Sequence, residues 1–282
     1  EAFESWKTRT KAQLESAEAN PLYSINDSIG YAMYGYHPRF FTLKANLVDQ
    51  VNLDRVYEMY KQCFANAGDF TFFFVGNIDL ATAKPLIASY LGSLPSTGKQ
   101  GKWVDHKMNI AKGQIVNEYA KEQQTPMATN FMLYSGTMDY TQRNLQLLNL
   151  LVSTLNIVYT EEIREKEGGT YGVSCMQSFN KLPQPEVMLQ IVYQTDPAKK
   201  EHLNGLINQL FVKMSQEGPT AEQLDKARKV MLKRFTDNQK ENSYWLNALY
   251  TSCYEQFDVT KDYESTLNSL TAADVAKLAA DL

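Results

Sequence analysis

The sequence predicts an α+β fold in which helices pack against mostly antiparallel sheets. Short segments rich in apolar and aromatic side chains, such as residues 130–135, are typical of strands. Long segments with apolar residues every three or four positions, such as residues 140–165, are typical of buried helices. A proline-rich turn at residues 182–185 joins two predicted strands directly, as antiparallel neighbours require. Strands joined by turns and flanked by groups of helices indicate the α+β class.

Length and composition favour a globular protein over nucleic-acid-binding and membrane-spanning classes. The chain has 282 residues, which suffices for two domains, and its 44% apolar and 21% charged content is ordinary for a globular protein. A net charge of −4 with dispersed Lys and Arg predicts no nucleic-acid partner. No apolar run approaches the ~20 residues of a membrane helix, so no membrane segment is predicted. The three cysteines, Cys63, Cys175 and Cys253, have no metal or redox spacing and are predicted to be buried free thiols.

The first third of the chain is predicted to begin with helix. Residues 1–36 have apolar side chains at helical spacing, among them Trp6 and Ile25. Asn52 is then an N-cap candidate for a further helix, with an acid in its first turn. A strand at residues 70–75 and a helix at about 80–91 follow. The polar Pro/Gly/Ser stretch at residues 94–102 indicates a linker.

The remaining two thirds carry the clearest strand and helix patterns. Strands are predicted at residues 113–121, 130–135, about 169–178 and 186–195. The apolar surface of the helix at 140–165 is so broad that it implies burial on more than one side. Helices are marked by Asp196 with Pro197 as N-cap and first residue, and by Thr220 with Gln223 as a capping box. Further helical pattern covers residues 223–254.

The two parts resemble one another. Aligning Asn20 with Asn242 places Tyr23 against Trp245, and the helix that begins at Asn52 matches one that begins at Thr271. We therefore predict two homologous units, the first incomplete at its N-terminus and the second lacking its last strand. The predicted domains are residues 1–95, a linker at 96–112, and residues 113–282. A strand without its partner leaves an open sheet edge, so this chain is also expected to be able to form homodimers.

The candidate site is the run IREKEGGTYGV at residues 163–173. It places Arg164 at a helix end and Tyr171 on the strand after a Gly-Gly break. A fixed cation and a phenolic O–H held close together can bind a carbonyl or stabilise an oxyanion that forms on it. An alternative is that Arg164 offsets the helix dipole, Gly168 is the C′ residue and Tyr171 fills core. The spacing by itself leaves both interpretations open.

Other chemical candidates have simpler explanations. Ser135, Ser174 and Cys175 have no His or Asp partners at triad-like positions, so no nucleophile is assigned. The acidic side chains around Arg164 are predicted to form a solvated face; they are Glu161, Glu162, Glu165 and Glu167. An aromatic group is predicted to serve packing; it comprises Tyr31, Tyr34, Tyr36, Phe40 and Phe41.

Residues 163–173 resemble the Arg–Tyr element in the C-terminal half of pitrilysin/insulinase-family zinc metallopeptidases, the inverzincins. The likeness extends to residues 65–79, 90–96 and 217–220, and is greatest to the bacterial single-chain forms. Family members are built from four homologous α/β domains. The resemblance implies that this chain contains most of the second half of the third domain and nearly all of the fourth.

The resemblance also implies a function. The chain would be the C-terminal, substrate-enclosing half of a zinc-dependent endopeptidase or oligopeptidase. Its partners would be the N-terminal half of the same polypeptide and a peptide substrate. Arg164 and Tyr171 would contact the substrate carbonyl and support the transition state. The bacterial relatives further suggest the periplasm or cell envelope.

The zinc of such an enzyme is expected in the N-terminal half, where the family carries His-x-x-Glu-His. The histidines of this chain are His37, His106 and His202, and none has a second His three or four residues away. We therefore expect no metal ligands or cofactor in this chain, and no activity from the chain alone.

Two other functions are compatible with the same residues. The parent protein could be a non-catalytic relative, a scaffold similar to the processing peptidases, which keeps the fold without the metal motif. The chain could also be a peptide-binding module in which Arg164 and Tyr171 are structural. A His-x-x-Glu-His motif upstream of Glu1 would favour the enzyme.

Overall fold

The computed structural model describes residues 1–122 and 125–282, with the backbone alone at residues 21 and 22. The chain forms two compact units, Glu1–Phe72 with Gly76–Gln123, and Phe73–Val75 with Gln124–Leu282. Helices and a small antiparallel sheet confirm the α+β class. The duplication of the units and the domain boundaries proposed above stay predictions.

The first unit contains four helices in its described residues, with short 3-10 turns at Ala45–Gln50 and Ala67–Asp69. The helices are α1 (Ala2–Glu18), α2 (Pro21–Met33), α3 (Leu53–Phe64) and α4 (Leu80–Tyr90). The second unit contains three strands and six helices in the part described. They are β1 (Ala128–Thr137), α5 (Gln142–Tyr159), β2 (Val173–Asn180), β3 (Glu186–Thr195), α6 (Lys200–Glu217), α7 (Ala221–Asn238), α8 (Asn242–Tyr254), α9 (Tyr263–Ser269) and α10 (Ala272–Asp281).

The first unit has a small core beside α1. Ala45 and Val48, on the 3-10 turn, are buried. The turn is held to α1 by the Glu18 carboxylate, which accepts a 2.8 Å hydrogen bond from the Ala45 amide. An ion pair of 2.7 Å between Lys11 and Asp49 adds a second, exposed connection.

The predicted packing role of the aromatic group is confirmed for three of its members. The Phe40 ring contacts Tyr31 and Tyr34, with ring centroids 5.2 and 5.3 Å apart. A Cβ atom on Gly30 would lie 2.0 Å from the Phe40 ring, so only glycine allows this approach. Tyr36 and Phe41 are largely exposed.

Two predicted strands, at residues 70–75 and 113–121, are not strands in the structure. Among the described residues, the sheet consists of three strands at 128–137, 173–180 and 186–195, and neither 71–75 nor 113–121 belongs to it. The alternating side chains are those of a strand, but a ladder also requires a partner backbone in register. The prediction was wrong because side-chain pattern does not reveal whether that partner is present.

The sheet of the second unit has the strand order β1–β3–β2, and both pairs are antiparallel. The predictions at 130–135 and 186–195 are confirmed, and the strand predicted at about 169–178 is observed as β2. Ala128 pairs with Thr195 at one end of the β1–β3 ladder, and Thr137 pairs with Glu186 at the other.

The core of the second unit is built around α5. Buried residues occur on more than one side of this helix, as predicted, and include Leu148, Leu151 and Leu155. They form one cluster with side chains from β2, β3, α6, α7 and α10. Burial of so many apolar side chains is the main stabilising contribution to this unit.

Helix starts agree with the sequence predictions because capping is local. Asn52 accepts a hydrogen bond from the Arg55 amide, and Thr220 and Gln223 form the predicted capping box. Asp196 caps a 3-10 turn that begins at Pro197, directly before α6. Each cap satisfies backbone N–H groups that the helix itself leaves unpaired.

The cysteine prediction is confirmed for only one residue. Cys175, on β2, is buried, whereas Cys63 and Cys253 are exposed. Cys63 lies on α3, which has no buried residue, and Cys253 lies near the end of α8. In the part of the chain described, no helix has the length and apolar character needed to cross a membrane.

Candidate functional site

The candidate site begins where α5 changes its helical form. Residues Thr160–Lys166 continue the helix as a π-helical segment. Ile163 in this segment is buried and anchors it to the core, while the following residue, Arg164, is exposed. π-Helical segments are rare, and they occur frequently at functional sites. The predicted single helix over 140–165 is therefore α5 plus this segment.

The helix ends at Gly168, which has φ +57°. This left-handed conformation is the one that glycine adopts without steric cost at a helix C′ position. The predicted role of Gly168 is thus confirmed. The chain then turns towards β2.

The turn after Gly168 is tied to β3. The Thr195 hydroxyl donates a 2.7 Å hydrogen bond to the Gly169 carbonyl, and the Thr170 hydroxyl donates one of 2.6 Å to the Gln194 carbonyl. A Cβ atom on Gly169 would lie 3.0 Å from a Leu203 methyl group, so α6 also packs closely here. We call residues 164–171 the corner. Its backbone is fixed by hydrogen bonds and packing on two sides.

Tyr171 lies just before β2, which begins at Val173, and not on the strand as predicted; its side chain extends from this anchored backbone towards solvent. Its exposed fraction is 100%, although Val173, two residues later, is buried. The alternative in which Tyr171 fills core is therefore wrong. In the described residues its hydroxyl has no hydrogen-bond partner within the chain.

Arg164 is also exposed, and within the described ranges its guanidinium has no ion-pair or hydrogen-bond partner. The predicted solvated acidic face is present, but three of its carboxylates have partners other than Arg164. The pairs are Glu161 with Lys226 at 2.7 Å, Glu162 with Lys166 at 2.7 Å, and Glu167 with His202 at 3.1 Å. The alternative in which Arg164 offsets the helix dipole stays open, because it requires no paired carboxylate.

The corner presents two kinds of hydrogen-bond donor to solvent. Arg164 offers a planar, permanently charged guanidinium with several N–H donors, and Tyr171 offers a neutral O–H donor. Both are suited to a carbonyl oxygen or to the oxyanion that develops from it during acyl transfer. The assignment of these roles to the two side chains remains a prediction.

Sequence reasoning missed the residues that support the corner. Thr170 was detectable, because a threonine two residues before a glycine often forms a local turn; the Gly172 amide donates to its hydroxyl at 3.3 Å. Thr195 and His202 had no such signal, since they are distant in sequence and reach the corner only through the sheet and α6.

The metal-ligating side chains of the described ranges are not arranged as a zinc site requires. In the described ranges, no group of three or more His, Cys, Asp or Glu side chains is arranged to hold a metal ion. His202 is engaged with Glu167 instead. No step is assigned to a metal held by this chain.

Comparison with known protein families shows to which family this chain belongs. The family model described as the Peptidase M16 inactive domain matches residues 50–231, which is more than half of the chain. The chain belongs to this family. The resemblance to the insulinase-type metallopeptidases is confirmed, and this M16 inactive domain is of the kind found in zinc-protease-like proteins.

Relatives support the same assignment. A zinc protease PQQL-like protein of Arabidopsis thaliana is 23% identical over 254 residues, covering 84% of this chain and 26% of the relative. The crystal structure of the periplasmic protease PqqL from Escherichia coli matches with a TM-score of 0.82 at 19% identity. That match covers 98% of this chain and 31% of PqqL.

A second solved structure is the ferredoxin protease FusC, as the E83A mutant in complex with Arabidopsis ferredoxin. It has a TM-score of 0.77 at 11% identity, covering 100% of this chain and 31% of FusC. At these identities the structural matches show the fold alone. The chain spans less than a third of the length of these relatives.

Proposed function

We propose that this M16 inactive domain is the C-terminal, substrate-enclosing half of a zinc-dependent endopeptidase, and that Arg164 and Tyr171 contact its peptide substrate. The observation that carries the proposal is the corner itself. Two donors that suit a carbonyl lack partners in the described chain and are exposed, while the backbone between them is anchored. An exposed tyrosine on a fixed backbone has no packing role to explain it.

In the proposed mechanism, the Arg164 guanidinium and the Tyr171 hydroxyl donate hydrogen bonds to a substrate carbonyl oxygen. Their contribution grows as negative charge develops on that oxygen, because charge-assisted hydrogen bonds are stronger than neutral ones. The anchored turn keeps the donors preorganised, so little reorganisation accompanies the reaction. Zinc, held by the N-terminal half, would polarise the attacking water and the carbonyl.

The relatives support the proposed partners and compartment. FusC is a protease seen in complex with a protein, ferredoxin, which supports a peptide or protein substrate here. PqqL is described as periplasmic, which supports the periplasm as the compartment. The greater length of both proteins supports an N-terminal half in the same polypeptide.

The test is Arg164→Gln in the longer protein. The substitution keeps two donor hydrogens but removes the charge and the planar guanidinium. We expect kcat/KM for a peptide to fall by about tenfold to a thousandfold, as for loss of an oxyanion donor. The matched control is Arg234→Gln, because Arg234 is an exposed arginine on α7 of the same unit. It should leave kcat/KM unchanged.

Zinc content, measured in all three proteins, should be equal. An unchanged kcat/KM in zinc-loaded Arg164→Gln would contradict the proposed role of the arginine. A longer protein with no chelator-sensitive peptidase activity would instead identify it as a non-catalytic scaffold.

A further inference from the structure

Asn156 is a polar residue in the last turn of α5, among side chains that form the core. Its neighbours Leu155, Val158 and Tyr159 are buried. Asparagine is a poor helix former, because its amide competes with the helix backbone for hydrogen bonds. A half-buried amide at such a position costs stability unless it finds partners of its own.

The Asn156 amide finds these partners on β2. The Cys175 backbone N–H donates to Asn156 Oδ1 at 2.9 Å, and Asn156 Nδ2 donates to the Cys175 carbonyl at 2.9 Å. Nδ2 donates a further hydrogen bond of 3.0 Å to the Val152 carbonyl, one turn earlier in α5. We call the two bonds between Asn156 and Cys175 the brace. A single side chain thus pairs both backbone groups of a strand residue.

The brace holds β2 on the side away from β3. In the described sheet β2 is an edge strand, with β3 as its neighbour. In an antiparallel ladder, a residue exchanges an N–H and a C=O bond with the residue opposite. Asn156 makes the same pair of bonds with Cys175 from a helix. The position of β2 is therefore fixed against α5 as well as against β3.

The brace also joins the two segments that carry the exposed donors of the corner. Arg164 lies about two helical turns beyond Asn156, and Tyr171 lies four residues before Cys175. The Asn156 carbonyl accepts a 2.7 Å hydrogen bond from the hydroxyl of Thr160, the first residue of the π-helical segment. The bonds described above tie the corner to β3, whereas the brace ties β2 to the helix that carries Arg164.

We propose that Asn156 is a positioning residue, which sets the place of the Tyr171 hydroxyl relative to Arg164 by holding β2 at Cys175. The proposal rests on the proposed function, in which both donors reach one carbonyl oxygen. The Tyr171 ring is fully exposed, so its position depends on the backbone that carries it. Catalytic groups need to be held within about 0.5 Å, and a misplacement of about 1 Å can lower the rate a hundredfold.

The test is Asn156→Leu in the longer protein. Leucine has a similar volume and favours the helix, but it cannot form the brace. We expect kcat to fall by about tenfold to a hundredfold with KM little changed, because the bonds to the developing oxyanion are made in the transition state. Zinc content should be equal in all variants.

The matched control is Asn149→Leu. Asn149 also lies on α5 and bonds to β2, since its Oδ1 accepts a 2.9 Å hydrogen bond from the Gln177 side chain, but it lies farther from the corner. Asn149→Leu should lower the urea midpoint about as much as Asn156→Leu and leave kcat unchanged. Equal losses of kcat in the two variants would overturn the proposal.

The Tyr171→Phe background separates positioning from general damage. There, Asn156→Leu should cause no further fall in kcat, because the hydroxyl that it positions is absent. A structural role alone would lower kcat by the same factor in both backgrounds, which would overturn the proposal. If Tyr171→Phe by itself left kcat unchanged, the proposed role of Tyr171 would fail and the positioning role with it. If Tyr171→Phe lowered kcat and Asn156→Leu did not, only the positioning role would fail.

If Asn156→Leu does not fold, Asn156→Asp decides. The aspartate keeps the shape of the side chain and the acceptor for the Cys175 N–H, but as a carboxylate it cannot donate to the Cys175 carbonyl. We expect kcat to fall in the protein that retains Tyr171 and to stay the same in the Tyr171→Phe background. Unchanged kcat in Asn156→Asp would overturn the proposal.

Discussion

The exposure of Tyr171 is set by the residues on either side of it. Thr170 is tied to β3 through its hydroxyl, and Val173 enters the core, so the backbone at Tyr171 has little freedom to turn the ring inward. The sequence predicted the placement of Arg164 and Tyr171 around a helix end, because Gly168 and its neighbours are local signals. It left open whether the two side chains were buried, since burial depends on β3 and α6.

The burial of Cys175 predicts that its thiol reacts more slowly than the thiols of the two exposed cysteines. Its burial raises the pKa of the thiol to about 12, so the reactive thiolate is scarce at neutral pH. A thiol reagent at pH 8 should label Cys63 and Cys253 quickly, and Cys175 only after unfolding. In Cys175→Ser the slow thiol should be missing. Three equally fast thiols would contradict the described core.

The raised pKa of Cys175 also makes the stability of the folded state depend on pH. The folded value lies above the ~8.5 of an unfolded cysteine, so the folded state favours the protonated thiol. This contribution is fully present below pH ~8.5 and is lost as the pH rises through about 12.

At the scale of elements, predictions succeeded where the signal was local. Asn52, Thr220 and Thr271 cap helices as expected, because a cap requires only residues within one turn. Residues 70–75 and 113–121 failed as strands, because strand formation requires a distant partner. The π-helical end of α5 was not predicted either, since no local residue pattern distinguished it from ordinary helix.

We predict that the hydrogen bond from Thr195 to the corner contributes to the stability of the fold. Thr195→Val keeps the shape of a buried side chain but removes the hydroxyl that donates to the Gly169 carbonyl. Loss of a typical intramolecular hydrogen bond costs about 0.5–1.5 kcal/mol, so the urea midpoint should fall by a corresponding amount at an unchanged slope. Thr137→Val, at an exposed position of β1, is the control and should change stability by less than about 0.5 kcal/mol. Equal midpoints for the two variants would show that the corner is not held by this bond.

At the scale of the whole molecule, the two units differ in how far each buries its own apolar residues. The second unit has a continuous core around α5, whereas α3 and α4 of the first have no buried residue. The sequence predicted the family, because strand, helix and corner motifs extend along most of the chain. It could not predict that the apolar side chains of α3 are exposed, because burial depends on residues distant in sequence.

The central claim is that the corner acts on substrate, and Tyr171→Phe in the longer protein tests it most directly. The substitution removes one O–H from a fully exposed ring, so thermal stability should change little. We predict that kcat/KM falls by about one to three orders of magnitude, the upper end corresponding to the ~4 kcal/mol of a strong oxyanion donor. Tyr254→Phe, at another exposed tyrosine of the same unit, should retain full activity. Unchanged kcat/KM in a folded, zinc-loaded Tyr171→Phe protein would contradict the claim.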